Sequence, residues 1–189
     1  MRKGVGMRSH LARIAAATLA AIAMTLSSLL VGSAATAAPA PAAVRVLYYD
    51  ASQAAEFVNV VHQGAANWNA RVTNVRLERW TSGRPLNIRV YADNGWPRAY
   101  VNSLGNGTVY MGRQATAEGH NPTRIAAHEL GHILGLPDRR TGICSELMSG
   151  SSAGTSCTSA FPNSQEITKV NNLFASGALV TAGWRQEVA

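Results

Sequence analysis

Residues 127–138 read AHELGHILGLPD, and this stretch indicates how the rest of the chain is organised. His128, Glu129 and His132 fit the pattern H-E-x-x-H, in which residues four apart share one face of a helix. Two imidazoles on one face, with a carboxylate beside them, form a ligand set that suits zinc. We therefore predict a metal-binding helix at this position.

The residues that follow His132 supply a third ligand. Gly135 can adopt the left-handed conformation that ends a helix and turns the chain back, and Asp138 is the next polar residue after that turn. A catalytic zinc site needs three protein ligands and one open position. The predicted ligands are His128, His132 and Asp138. Glu129 is then the predicted general base, which acts on the zinc-bound water.

An ordinary amphipathic helix that happens to carry two histidines is the alternative interpretation of this segment. Its neighbours are apolar on nearly every side: Ile125, Ala126, Ala127, Leu130, Ile133, Leu134 and Leu136. The segment should therefore be buried, and buried histidine and glutamate are costly unless another group pairs with them. This cost favours the metal site.

The N-terminal segment has the layout of a secretory signal peptide. Four basic residues precede an uncharged run at 14–31, which ends in the small-residue sequence Ala35-Thr36-Ala37. This layout predicts a signal peptide at 1–37, cleaved before Ala38. An uncleaved membrane anchor is the alternative, because the apolar run is nearly long enough to span a bilayer. Cleavage predicts a secreted, extracellular protein without stable membrane association.

The excess of basic over acidic residues in the chain does not indicate nucleic-acid binding. The 17 Lys and Arg exceed the 10 Asp and Glu by a formal charge of +7, but four of the basic residues lie in the predicted leader. A candidate cluster remains at Arg71, Arg76, Arg79, Arg84 and Arg89. These arginines are scattered through strand-like sequence without stacking aromatics between them, which indicates a solvated sheet face.

The chain after the leader is long enough for one domain. We predict a flexible lead-in at 38–43, a domain at 44–177 and a C-terminal tail without clear pattern at 178–189. Apolar residues alternate in four predicted strands, at 44–49, 75–80, 86–91 and 108–111.

Helical spacing predicts two further helices besides the metal-binding one. One is capped by Asp50 or Ser52 and ends near Asn69. The last one starts after Asn163 or Ser164, runs to about residue 175 and is ended by Gly177. For the metal-binding helix, Asn121 or Thr123 is the predicted cap.

The passage at 93–107 is rich in glycine, asparagine and proline, and it predicts loops. The strand at 108–111 that follows it has two interpretations of equal weight. It is either the sheet edge to which an extended peptide adds by backbone pairing, or another core strand.

Cys144 and Cys157 are the two cysteines of the sequence. In an oxidising compartment they should pair, closing and stabilising a loop around Met148. A second metal site is the competing idea, but no companion residues stand at ligand spacing. His62, Glu118 and His120 also have no spacing that favours a role as ligands.

The motif that ends in Asp138, followed by CSELMSG at 144–150 and by Cys157, resembles the snapalysins, small secreted neutral metalloproteases of the metzincin group. The resemblance covers 44–177. It implies an α+β, zincin-like fold: a mixed, mostly parallel sheet with an antiparallel edge strand, two long helices and a C-terminal helix. It also implies a Met-turn at Met148 under the zinc, a bridge between the cysteines, and cleavage beside bulky aromatic side chains.

Two residues depart from the family pattern. Arg140 stands where the family has a tyrosine that helps to hold the oxyanion, and an arginine could supply charge there with a different reach. Asn121 replaces an aspartate of the family's calcium site while Thr123 remains, so we expect Ca²⁺ to bind more weakly or not at all.

The sequence therefore predicts a monomeric, secreted, zinc-dependent endopeptidase that hydrolyses peptide bonds of protein or peptide substrates. A cell-envelope peptidase acting on peptidoglycan stems would differ only in substrate. A secreted binding module, in which zinc merely holds the fold, is the alternative from another class. The presence of Glu129 favours an enzyme, because a structural site has its coordination filled and needs no neighbouring base.

Overall fold

A computed structural model describes residues 43–175 and the backbone of 184–187. The predicted signal peptide at 1–37, residues 38–42 of the lead-in, Gly177 and the remainder of the tail lie outside the described residues. Within the described ranges, no helix is long and apolar enough to cross a bilayer.

The described residues form six strands, four helices and two 3₁₀ segments, at Ala55–Phe57 and Leu147–Ala153. The strands are β1 (Arg45–Gln53), β2 (Val75–Arg79), β3 (Ile88–Asp93), β4 (Arg98–Ser103), β5 (Asn106–Gly112) and β6 (Trp184–Glu187). The helices are α1 (Val58–Asn69), α2 (Arg113–Ala117), α3 (Pro122–Ile133) and α4 (Ser164–Ala175).

The strands form one sheet in the order β2-β1-β3-β5-β4-β6. β2, β1, β3 and β5 run parallel, whereas β4 pairs antiparallel with β5. The predicted α+β class with a mixed, mostly parallel sheet is thus confirmed. β4 is not itself the edge strand of the described sheet, because its other side pairs antiparallel with β6, which lies at the edge.

The two long helices α1 and α3 pack closely against each other. A side chain at Gly64 of α1 would place its Cβ 2.8 Å from the backbone nitrogen of Ala127, so glycine permits the approach. Trp68, which is fully buried, donates a hydrogen bond of 2.8 Å from Nε1 to the Ala127 carbonyl oxygen. These contacts fix α3, which carries the H-E-x-x-H motif, relative to the rest of the core.

The region at 93–107 differs from its prediction as a loop. Its glycines and proline flank β4, where Ala99 and Val101 are buried and Tyr100 faces the other side. A turn at 104–105 connects β4 to β5, and β5 lies between β3 and β4 in the sheet. The core interpretation of the strand at 108–111 is therefore confirmed, and its interpretation as a sheet edge is wrong.

The start of α1 also differs from its prediction. Asp50 does not cap the helix, because its Oδ1 accepts from the Ser52 backbone N–H at 2.8 Å while β1 continues to Gln53. α1 begins at Val58, after a 3₁₀ turn and without a side-chain cap. The tail contributes β6, whereas its sequence predicted no regular element.

Candidate metal centre

Helix α3 holds three of the predicted site residues in a buried position. Its N-terminus is capped by Asn121, whose Oδ1 accepts from the Arg124 backbone N–H at 2.9 Å. Asn121 is one of the two predicted caps of this helix. In the last two turns of the helix, His128, Glu129 and His132 are each at most 3% exposed. The helix thus presents the histidines and the glutamate to the interior of the molecule.

A left-handed glycine brings the third predicted ligand back toward the helix. Gly135 has φ of 92°, and the Leu136 N–H then bonds the Gly131 carbonyl at 3.0 Å. The reversed chain places the Asp138 Oδ1 atom 3.1 Å from His128 Nε2 and 3.4 Å from His132 Nε2. The structure therefore brings His128, His132 and Asp138 together.

Hydrogen bonds on the far side of each imidazole define which nitrogen carries the proton. His128 Nδ1 lies 3.0 Å from the Leu147 carbonyl oxygen, and His132 Nδ1 lies 2.8 Å from the Leu136 carbonyl oxygen. A carbonyl oxygen only accepts, so each Nδ1 carries a proton and donates it, and in the neutral ring Nε2 is then the nitrogen with the lone pair that can bind a metal. The two lone pairs point to the same place, since the Nε2 atoms are 3.1 Å apart.

This arrangement fits a tetrahedral metal ion. With ligand bonds of about 2.0–2.1 Å, neighbouring ligand atoms of a tetrahedral zinc site lie about 3.3–3.4 Å apart, and the three separations here are 3.1, 3.1 and 3.4 Å. Two lone pairs and a carboxylate oxygen at that spacing repel unless a proton or cation lies between them. Among the described residues, His128, His132 and Asp138 form the group that could hold a metal.

The electrostatics of the three groups are coupled. Burial raises the pKa of the Asp138 carboxyl, but hydrogen bonds and charges from both histidines outweigh it and hold that pKa well below its ordinary value. Burial lowers the pKa of His132, and Asp138 and Glu129 reverse this effect, so the net shift is upward. The carboxylates thus favour positive charge at the point where the ligands converge.

Glu129, the predicted general base, follows the predicted ligand His128 directly in the sequence. It is 1% exposed, and its Oε2 atom has no hydrogen-bond partner within the described structure. Burial raises the pKa of its carboxyl, while the charges of the two histidines oppose the shift. A small cavity lies next to Glu129 and His128, with Trp96 and His120 in its wall. Glu129 therefore combines an unpartnered carboxylate oxygen, which can receive a proton, with a position in the wall of this cavity.

Residues 43–177 match the model of the Streptomyces extracellular neutral proteinase (M7) family. The chain belongs to this family. Proteins named extracellular small neutral protease are 40% identical to it in Streptomyces sp. (strain C5), over 74% of this chain and 60% of that protein, and in Streptomyces lividans, over 74% and 61%. The corresponding protein of Streptomyces caespitosus is 40% identical over 68% of this chain and 96% of its own. The chain thus spans about three fifths of the first two relatives.

One solved structure with a likeness to the chain is high choriolytic enzyme 1, a hatching enzyme zinc-protease from Oryzias latipes (Medaka fish). The TM-score is 0.36 and the identity 22%, over 52% of this chain and 47% of that one. We draw nothing about function from so limited a likeness. The family assignment depends on the sequence relatives.

Arg140, where the family resemblance predicts a tyrosine, takes an unusual backbone conformation two residues after Asp138. Its φ is +48°, a left-handed value that side chains other than glycine rarely adopt. Its Nη2 atom lies 3.7 Å from Asp138 Oδ2, and the side chain is half exposed. The guanidinium therefore contributes positive charge near the carboxylate ligand.

Met148 lies directly under the helix, in the segment where the family resemblance places a Met-turn. It is 1% exposed, and its sulfur is so close to Gly131 that a Cβ built there would come within 2.6 Å of Sδ. The same Cβ would lie 3.1 Å from Cζ2 of Trp68. The middle glycine of the motif thus leaves room for Met148 and Trp68.

We expect Gly131→Ala to lower the free energy of unfolding. Overpacking costs about 1–3 kcal/mol, which exceeds the gain of about 1 kcal/mol from alanine in a helix. Urea unfolding followed by circular dichroism measures the difference. Gly95→Ala is the matched control, because its nearest neighbour would be the flexible end of Arg98 at 3.4 Å. A Gly131→Ala protein as stable as the parent would show that the contact is not tight.

The loop after Asp138 is cross-linked as predicted. Cys144 and Cys157 form a disulfide, with their Cα atoms 5.5 Å apart. The competing idea of a second metal site at these cysteines is therefore wrong. The bridge closes a loop that contains Met148, so it restrains the segment that packs against Gly131 of α3.

Two further histidines of the described residues, and Glu118, have structural partners. His62 Nδ1 lies 2.9 Å from the Tyr49 hydroxyl, and the His120 ring packs edge-on against Trp96 with centroids 5.8 Å apart. Glu118, in the same loop as His120, is exposed and accepts from Gln114. None of the three joins the converging ligands.

Sequence reasoning missed two charged residues next to the site. Arg124 and Glu166 are each 5% exposed, and both bind the backbone of the segment that contains Leu147. The signal for Arg124 was a charged residue in an otherwise apolar helix. The signal for Glu166 was the pair Asn163 and Glu166, three residues apart, which is a capping box.

Proposed function

We propose that the chain is a secreted zinc-dependent endopeptidase that hydrolyses peptide bonds of proteins. The observation that carries the proposal is the convergence of two imidazole nitrogens and one carboxylate oxygen beside a buried glutamate that has an unpartnered oxygen. Membership of a family of extracellular neutral proteinases supports the same reaction class. The parallel sheet with α3 behind it is consistent with the zincin-like fold that we propose.

His128, His132 and Asp138 would hold the zinc ion, and the fourth position would be open to water or substrate. A bound zinc ion supplies Lewis acidity, which polarises the scissile carbonyl group and makes water more acidic. The carbonyls of Leu136 and Leu147 orient the two imidazoles by accepting from Nδ1.

Glu129 is the proposed general base. Its carboxylate accepts a proton from the attacking water as the new C–O bond forms, and it then gives that proton to the amine nitrogen as the C–N bond breaks. Burial keeps competing water away from the carboxylate. Arg140 is placed to add positive charge near developing negative charge, the role given to tyrosine in the family pattern.

We expect protein or peptide substrates to bind beside the small cavity next to Glu129. Its wall contains Trp96, Ile125 and His120, and a bulky aromatic side chain next to the scissile bond would contact these groups. Secretion is supported by the leader pattern at 1–37 and by relatives that are named extracellular. We propose that the protein acts as a monomer, without nucleic-acid partners.

Casein digestion with and without a chelator tests the proposed function. We expect the purified protein to release peptides, to lose this activity in 1,10-phenanthroline and to regain it when Zn²⁺ is restored. Mass mapping of the cut sites on casein identifies the preferred side chains. A folded protein that binds zinc but leaves casein intact would support the binding-module alternative and overturn the proposal.

A further inference from the structure

Arg124 is a buried cation that binds only backbone carbonyl groups in the described contacts. It lies one turn before His128 on α3, and its guanidinium donates to the carbonyl oxygens of Glu146 at 2.7 Å and Leu147 at 3.3 Å. It also reaches the carbonyls of Cys144 and Ser159. A buried guanidinium is costly to desolvate. The hydrogen bonds of Arg124, or a function that they serve, must therefore offset this cost.

Glu166 reaches the same segment from α4. Its Oε1 accepts from the Met148 N–H at 2.8 Å, and its Oε2 accepts from the Leu147 N–H at 3.2 Å and from the Asn163 N–H at 2.7 Å. Three backbone donors on one buried carboxylate form a set of charge-assisted bonds. The segment is therefore held by a cation on one side and an anion on the other.

The two side chains bind opposite ends of the same peptide groups. In the peptide between Glu146 and Leu147, and again in the peptide between Leu147 and Met148, Arg124 binds the oxygen and Glu166 binds the N–H. A cationic donor on the oxygen and an anionic acceptor on the N–H polarise an amide in the same direction. The Leu147 carbonyl oxygen consequently carries more negative charge than an ordinary one.

That carbonyl is the group that accepts from His128 Nδ1 at 3.0 Å. A more negative oxygen strengthens this bond, fixes the imidazole with its proton on Nδ1 and makes Nε2 a better electron donor. His132 offers an internal comparison, because it bonds the Leu136 carbonyl at 2.8 Å. No hydrogen bond described for Arg124 or Glu166 goes to Leu136.

We infer that Arg124 and Glu166 are positioning residues, which set the orientation and donor strength of His128 through the Leu147 carbonyl. They do not touch substrate or metal and act through the backbone. The inference depends on the proposed function only in taking His128 as a zinc ligand. It assigns the two charged residues to the metal centre and not only to the fold.

The test compares Glu166→Gln with Asn163→Ala. Glutamine has the same shape, but its amide nitrogen cannot accept, so either the Met148 N–H or both the Leu147 and Asn163 N–H groups lose their acceptor. Asn163→Ala removes the side-chain cap of α4, where Oδ1 accepts from the Glu166 N–H at 3.0 Å, and leaves the Glu166 bonds to Leu147 and Met148 in place. Asn163→Ala is thus the control for a weaker helix.

Two readouts are used on both variants: histidine ¹⁵N signals in the metal-free and zinc-loaded protein, and zinc affinity by chelator competition. For Glu166→Gln we expect the His128 signals to move, the His132 signals to stay, and zinc affinity to fall about 10-fold or more. For Asn163→Ala we expect a lower melting temperature with unchanged His128 signals and zinc affinity.

Several outcomes would overturn the inference. One is a folded Glu166→Gln protein with unchanged His128 signals and affinity, and another is equal movement of the His128 and His132 signals. If Glu166→Gln does not fold, the same readouts on Arg124→Lys decide, because one ammonium cannot bind the carbonyls as the guanidinium does. If neither variant folds, the residues serve the fold as a whole and the inference fails. If the parent protein binds no zinc, the proposed function is wrong. The histidine ¹⁵N signals of the metal-free protein would still test the inference.

Discussion

Replacing Glu129 with glutamine should abolish peptide hydrolysis while the protein keeps its zinc. Glutamine matches the shape of glutamate, so the buried position beside His128 stays filled, but an amide takes no proton from water at neutral pH. A positioned general base contributes about 10²–10⁴-fold to a rate, and we expect kcat/KM to fall by at least that range. Casein hydrolysis gives the rate, and atomic absorption after dialysis gives the zinc content.

The matched control is Glu118→Gln. Glu118 is an exposed glutamate in the loop before α3, and it accepts from Gln114 at 3.1 Å without contact to the ligands. The same change of charge there should leave the rate unaltered. Substantial activity in Glu129→Gln would refute the assignment of the base, whereas loss of zinc would show that Glu129 helps to hold the metal.

Asp138→Ala should remove zinc from the protein. Asp138 supplies the carboxylate oxygen that lies 3.1 Å and 3.4 Å from the two Nε2 atoms, and without it only the two imidazoles remain to bind the metal. Groups that only orient a ligand change metal affinity about 10–100-fold when lost, so the loss of a ligand should exceed that range. Chelator competition measures the dissociation constant, and activity should disappear in parallel.

Asp50→Ala serves as the control for this second prediction. The Asp50 carboxylate lies on β1 and accepts from the Ser52 N–H, so its removal leaves the converging ligands intact. Unchanged zinc content in Asp138→Ala after dialysis would exclude Asp138 as a ligand. The proposed function would then need a different third ligand.

The elements with strong hydrophobic periodicity could be predicted from the sequence. Helix α1 buries Val61, Ala65 and Trp68 on the predicted face, and α4 buries Val170 and Phe174. Strand β4 could not be predicted in the same way. It has six residues between turn-forming sequences, and the alternation of buried Ala99 and Val101 is too short to stand out from its surroundings.

The candidate site likewise has features that could be predicted from the sequence and features that could not. The spacing of His128 and His132, and the turn at Gly135, could be read from residue types because helix geometry and glycine conformations are local properties. The carbonyls of Leu136 and Leu147, which orient the imidazoles, leave no mark in the sequence, since every residue has a carbonyl. Long-range contacts of this kind depend on tertiary packing.

Glu166 lies 34 positions beyond His132 and on a different helix, yet two N–H groups under the site have no other acceptor in the described contacts. A nascent chain that stops before α4 would bury both donors unsatisfied, at a cost of about 1–3 kcal/mol each. The bonds that complete the backbone under the site therefore come from a helix that follows every other described residue of the site in the sequence.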